Sequence, residues 1–310
     1  MAAQNSRPYR TRGIIMVLVA STLWGLSGTA AQVLFQHDHF QPGWLVTVRM
    51  LFSGAILVLW GLLRQDPTVR KLPLDRRMWL RLLIFAVVGL LAVQLSYFKA
   101  IADGNAASAT LLQYLGPPMI VAYIALRHRK LPSRMASFAM ILALFGTLLL
   151  VTGGQFDQLL VPGRALFWGV ISALGLAFYT LQPISMLKQY QSVSVVGWGM
   201  LIGGIASLAN SPIWRIPVPS ITFSDWLLIA FVVLLGTLAA FSLYLASLRY
   251  LEPSETGLLA TAEPVAAVLV SMLFLNVRLN VLQGIGAICI LLAIVQLSRG
   301  SRSSGNSQGN

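Results

Sequence analysis

One carboxylate, Glu263, stands near the middle of an apolar run from 255 to 275, and Pro264 follows it at once. If that run crosses a bilayer, the charge lies near the midplane, where it costs about 2.5–3.5 kcal/mol on insertion scales. Such a residue faces a cavity or a partner and marks a substrate or proton path. Its chemistry is to hold a cationic group, to carry a proton, or to make a helix-to-helix hydrogen bond as the neutral acid. Burial disfavours its charged form, and a nearby cation such as Arg49 favours it.

Other polar and aromatic residues lie at similar depth. Trp24, Ser27, Gly28 and Ala31 share one face of the first apolar run by i, i+3, i+4, i+7 spacing. Trp24 is too deep for an interfacial belt, so a cavity role suits it. Gly25 and Gly28 read as sites of close helix approach. Gln94 and Tyr97 are three apart in the third run, and Gln113 and Tyr114 precede Pro117 in the fourth. Tyr179, Gln182 and Tyr244 are counterparts further on. A buried glutamine must find hydrogen-bond partners, which a neighbouring helix supplies as well as a ligand does. Clustered aromatics can stack on rings or hold an amine by cation–π attraction. Arg49 sits about one and a half turns inside the second run. It either snorkels outward as an anchor or meets a carboxylate substrate.

These residues are embedded in a chain whose main solvent is lipid. Of 310 residues, 57% are hydrophobic and 10% charged, and the mean hydropathy is +0.77. Soluble domains carry about 25% charged residues. The net charge of +13 does not point to nucleic acid, because the basic residues flank apolar runs and form no continuous face. The single cysteine, Cys289, excludes an internal disulfide. His37, Asp38 and His39 read as a solvated loop rather than a metal site. No Walker loop or zinc motif is present, no cofactor is expected, and Gly284-Ile285-Gly286 reads as packing.

Runs of about 20 apolar residues suggest ten spans: about 13–35, 44–63, 79–102, 105–126, 134–152, 165–187, 193–214, 225–249, 255–275 and 279–298. With the N-terminus in the cytoplasm, 17 Lys and Arg residues fall inside and 4 outside, which predicts both termini cytoplasmic. Arg7, Arg10 and Arg12 precede a first run long enough to be retained as a helix rather than cleaved as a signal peptide. Residues 1–12 form an N-terminal cytoplasmic segment, and the Ser/Gly/Asn-rich residues 299–310 read as a disordered tail.

The two halves are related. Shifted by 147 residues, Gly89–Leu126 aligns without a gap on Gly236–Leu273, pairing Gly89 with Gly236, Tyr97 with Tyr244 and Pro117 with Pro264. The repeats are 13–152 and 163–298. Each holds five spans, an odd number, so the copies enter the membrane in opposite directions. Inverted repeats typify secondary transporters with a midplane site between halves that rock against each other. Pro117 and Pro264 lack an N–H and disturb the helix one turn back, as a hinge or a plain kink. The residue before them differs, Gly116 in one half and Glu263 in the other. The scaffold is duplicated and the ionisable group is not.

Trp24-Gly25, Arg49, the repeated Pro117 and Pro264, and the five-plus-five plan resemble the EamA-type permeases of the drug/metabolite transporter superfamily over 13–298. Leu23–Gly28 and Phe241–Leu245 are similar to its bacterial branch of carboxylate, amino-acid and amine transporters. In the second half Leu176-Ala177 stands where relatives often have Trp-Ala, so the aromatic lining differs. The resemblance implies an all-α membrane protein of ten helices with a central cavity. It further implies export of small metabolites across the bacterial cytoplasmic membrane.

The expectation is therefore a secondary transporter, not an enzyme, for amino acids, amines or related compounds, with proton coupling open. Its expected partners are a small-molecule substrate and the lipid bilayer. The candidate substrate-binding residues are Trp24, Gln94, Tyr97, Gln113, Tyr114, Tyr179, Tyr244 and Glu263. Import of a similar solute, a membrane enzyme using Glu263 as acid or base, and a scaffold without transport are the rival readings. Neither substrate nor oligomeric state can be read from these residues.

Overall fold

The computed structural model describes residues 7–129, 131–155, 159–216, 221–251, 256 and 259–306. Among them there are helices and connecting turns but no strand. In chain order the principal helices are α1 (Arg7–Gln36), α2 (Pro42–Leu63), α3 (Arg76–Asp103), α4 (Ala106–His128) and α5 (Arg134–Thr152). The second series is α6 (Gly163–Leu187), α7 (Ser192–Ser207), α8 (Phe223–Ser247), α9 (Ala262–Phe274) and α10 (Val281–Asn306). Seven, α1 to α6 and α8, are long and apolar enough to cross a membrane, and three are shorter apolar helices.

Local sequence sets the ends. Pro42 opens α2, where its missing N–H costs nothing. Asn105 caps α4 by accepting from the Ser108 N–H at 2.8 Å. Thr222 and Asp225 form a capping box at α8. Gly153, at φ +59°, ends α5 in the left-handed conformation.

Two features recur at matching positions of the repeat. The first is a π-helical stretch, Phe85–Leu91 within α3 and Phe231–Ala239 within α8. The 147-residue shift lays one on the other. Such stretches cluster at functional sites, since each displaces the helix register. The second is a helix break. In α4 the helix stops at Gln113 and restarts at Gly116. In the second repeat α9 starts at Ala262 after a turn at Ala260 and Thr261. Pro117 and Pro264 thus open new helical segments, as expected from a residue that cannot donate one turn back. Within the expected 255–275 span this turn lies just before Pro264, where a disturbance was expected. Glu263 lies in the first turn of α9, not in a helix middle.

The packing is interlocked. α1 lies against α8 and α9, and its counterpart α6 lies against α3 and α4. The remaining helices pair with their own counterparts, α2 with α7 and α5 with α10. Every helix therefore makes a major contact with one from the other repeat. The two halves therefore interlock rather than stand apart, with α1 beside α8 and α9, and α6 beside α3 and α4.

Close approach needs missing side chains. A Cβ on Gly25 would stand 2.7 Å from the Ala267 backbone nitrogen and 2.9 Å from the Glu263 carbonyl oxygen. Gly28 leaves room for the Tyr97 hydroxyl, 2.8 Å from where its Cβ would be. The helical α10 also reaches Asn306, so disorder over all of 299–310 is corrected for residues 299–306. A helix nucleated in the apolar core extends by one bond per added residue. Residues 307–310 and 1–6 lie outside the described residues.

Candidate functional site

The breaks in α4 and α9 face each other. The Tyr114 hydroxyl, at the break in α4, donates to the Glu263 carboxylate at 3.0 Å and lies 3.0 Å from the Ala260 carbonyl oxygen. The Ala260 carbonyl also accepts from the Glu263 N–H at 3.0 Å, so the phenol from the other repeat joins a turn that is already closed. One hydroxyl thereby ties the two breaks together.

Aromatic rings line the α1–α8 side. The Trp24 ring meets Phe241 edge-on at 5.2 Å and Tyr244 tilted at 5.3 Å. Opposite, Tyr179 of α6 stacks on Phe85, in the π-helical stretch of α3, at 5.7 Å. Tyr244 is within electrostatic range of Glu263, Tyr114 and Tyr179. Trp24, Tyr114, Tyr179, Tyr244 and Glu263 are all half-buried as whole residues.

The other candidates divide. Tyr97 is buried and its hydroxyl is satisfied by Thr110 at 2.8 Å. It ties α3 to α4 and packs over Gly28. Gln113 donates to the Ser172 hydroxyl of α6 at 2.6 Å, a helix-to-helix bond. Gln182, in α6, donates to the Arg81 carbonyl at 2.8 Å, away from the centre. Gln94 is buried and neither of its amide atoms has a hydrogen-bond partner.

Sequence reasoning passed over two groups as site residues. Phe241 stands three before Tyr244, on the same helix face, and that spacing was available as a signal. Arg49, whose position suits an anchor or a carboxylate partner, is the other. It does not snorkel: it is 7% exposed, its guanidinium carbon lies 4.7 Å from the Phe98 ring centroid, and Glu263 is within electrostatic range.

A bundle of apolar helices with an interior carboxylate, paired helix breaks and a duplicated scaffold is that of a multi-pass membrane transporter. The chain matches the EamA-like transporter family over residues 11–152 and 163–299, one match per repeat, and belongs to that family. It is 38% identical over 293 residues to a protein of Salmonella typhimurium (strain LT2) described as an uncharacterized inner membrane transporter, YicL, covering 94% of this chain and 96% of that protein. It is 24% identical over 301 residues to the uncharacterized transporter YwfM of Bacillus subtilis (strain 168), covering 93% and 94%. A solved crystal structure shares the fold at TM-score 0.61 with 20% sequence identity, covering 96% of this chain and 100% of the other.

Proposed function

We propose that the protein is a secondary transporter that exports small organic metabolites, amino acids or amines among them, from the bacterial cytoplasm by alternating access. Ten helices cross the membrane in two inverted repeats with both termini cytoplasmic. Glu263 is the ionisable group of the transport path, and it exchanges a proton for substrate. Trp24, Phe241, Tyr179 and Tyr244 supply the walls, and Tyr114 holds the carboxylate while substrate is absent.

The Tyr114–Glu263 bond across two broken helices carries this reading. A charged group at this depth is kept where it works on a path, and half-helix ends at the midplane are the usual place for substrate and ion sites in inverted-repeat carriers. Import of a similar solute uses the same geometry, and the direction of the imposed gradient separates the two.

The test is flux. Full-length protein reconstituted in liposomes should exchange a radiolabelled amino acid or amine against internal unlabelled solute. An imposed pH gradient should drive net movement in the wild type and not in Glu263→Gln. Flux equal to protein-free liposomes across a broad panel would sink the transporter assignment. Unchanged pH dependence in Glu263→Gln would remove the proton from the mechanism.

A further inference from the structure

Arg49 carries a charge that the protein leaves incomplete. It projects from α2 into the interior at 7% exposure, and no carboxylate is within ion-pair distance among the described residues. Its Nε has no hydrogen-bond partner. Phe98 covers one face of the guanidinium, at 4.7 Å, so its edge, the side that forks around a carboxylate, is not used. Removing such a charge from water costs several kcal/mol unless a partner restores its hydrogen bonds.

A second incomplete group lies on α3, the helix that carries Phe98. Gln94 is one helical turn before Phe98, on the same face of α3. It is 9% exposed, and both its Nε2 and its Oε1 are buried without a partner. Buried amides in folded proteins are nearly always bonded. Two packed helices thus each carry an unpaired donor, a cation with a fork of N–H groups on α2 and, on α3, an amide N–H whose own carbonyl is also unpaired. The complement of that set is an anionic oxygen pair.

Glu263, with the aromatic edges of Trp24 and Tyr244 near it, supplies the opposite chemistry. Arg49 and Glu263 are within electrostatic range of each other yet not in contact. Charges held apart in this way fit a molecule that carries both signs.

We propose that Arg49 and Gln94 form a carboxylate-binding subsite, and that the substrate is an amino acid zwitterion whose carboxylate lies there while its ammonium lies at Glu263. This rests on the transporter reading above and narrows it: amines without a carboxylate are poor substrates. Binding proceeds without covalent change. The carboxylate takes the free edge of Arg49 and the Gln94 amide N–H, and the ammonium displaces the Tyr114 hydroxyl from Glu263.

Thermal unfolding of the detergent-purified full chain tests binding independently of flux. The probes are α-, β- and γ-amino acids, the matching amines that lack the carboxylate, and the matching acids that lack the amine. At least one amino acid should raise Tm, with its amine and acid counterparts binding about tenfold more weakly or worse, as expected for loss of one charge-assisted pair. Arg49→Lys should weaken the amino acid by about tenfold, because the fork is lost, and leave the amine nearly unchanged. Gln94→Glu places an internal carboxylate beside Arg49. It should raise the Tm of the empty protein and abolish the amino-acid shift while sparing the amine. If Arg49→Lys does not fold, Gln94→Glu alone decides.

The subsite is wrong if amines stabilise the wild type as well as amino acids do, if no amino acid stabilises it, or if the variants weaken every probe equally. Amino acids that bind with the expected pattern but give no flux overturn the transporter reading and leave the subsite standing. Flux of solutes without a carboxylate, with no amino-acid shift, does the reverse.

Discussion

Tyr114 and Glu263 meet across helices from different repeats, and their bond makes a direct prediction. Tyr114→Phe removes the hydroxyl and leaves the ring. A hydrogen bond to a charged group contributes about 1.5–3 kcal/mol, so the variant should unfold at lower temperature than wild type. Substrate no longer has to displace the hydroxyl, so apparent affinity for the ammonium end should rise rather than fall. Competition binding against a fixed amine checks this, and weaker binding in Tyr114→Phe would mean that the hydroxyl itself contacts the ligand. Much of this centre was legible in the chain. A lone carboxylate among apolar residues is visible because its cost demands a reason, and Trp24 and Tyr244 stand out by depth. What the sequence hid was partnership. Tyr97 and Gln113 look like ligands in one dimension, yet Thr110 and Ser172 on neighbouring helices satisfy them. Those hydroxyls are 13 and 59 residues away in the chain, and nothing in local spacing reports them.

The helices show the same limit in a different form. The repeated prolines announced a disturbance at equivalent points, and the structure has breaks there. The π-helical stretches left no comparable mark, because no residue type requires them. Gly25 is where break and packing join. Alanine at Gly25 drives its Cβ into the backbone of α9, which cannot yield as a flexible side chain does. Overpacking of this kind costs about 1–3 kcal/mol. Gly284→Ala, where nothing lies within 4 Å of an added Cβ, should be neutral or slightly stabilising, since alanine favours helix by about 1 kcal/mol. Thermal unfolding of the pair gives the comparison, and equal Tm values would mean that α1 and α9 are not closely packed at Gly25. Outside the apolar helices, the Tyr190 hydroxyl donates to Asp75 at 2.6 Å, tying the turn before α3 to the turn before α7. That bond, with the backbone N–H of Arg77, holds the Asp75 carboxyl below its ordinary value of 3.8. The folded state therefore binds the proton less tightly than the unfolded chain. The stabilisation is complete above the ordinary value and is lost as pH falls through the lowered one. In Tyr190→Phe this acid-side loss should shrink, so stability curves of variant and wild type should converge as pH falls below the ordinary carboxylate value. Curves that stay parallel would show that the tie contributes nothing.

At the scale of the whole molecule, the way repeats share helices decides what can move. An odd number of spans per copy was enough to expect inversion. A duplication by itself suggests that one repeat rocks against the other, and the chain offered no signal against that picture. The contacts oppose it. α2 and α7 come from different repeats and are joined at both ends. The Thr47 and Ser207 hydroxyls are 2.7 Å apart at one end, and those of Thr68 and Ser194, on the loop after α2 and at the start of α7, are 2.6 Å apart at the other. Trp198 of α7 adds a bond from its ring N–H to the Val69 carbonyl at 2.8 Å. Separating the repeats would break all of these together, along with the close packing of Gly54 on Leu201. Motion that keeps α2 with α7 and tilts the α1–α8–α9 group against the α3–α4–α6 group spares these bonds, and its cost lies in the Tyr114 contacts between the broken helices and the Gln32 and Gln36 bonds from α1 to the turn between α3 and α4. A Thr47→Cys/Ser207→Cys double variant distinguishes the two motions. Oxidised to a disulfide, it should transport at close to the reduced rate, because the bridge lies within a unit that moves as one. A disulfide that stops flux, and releases it on reduction, would show that α2 and α7 part during the cycle and that the repeats are the moving bodies after all.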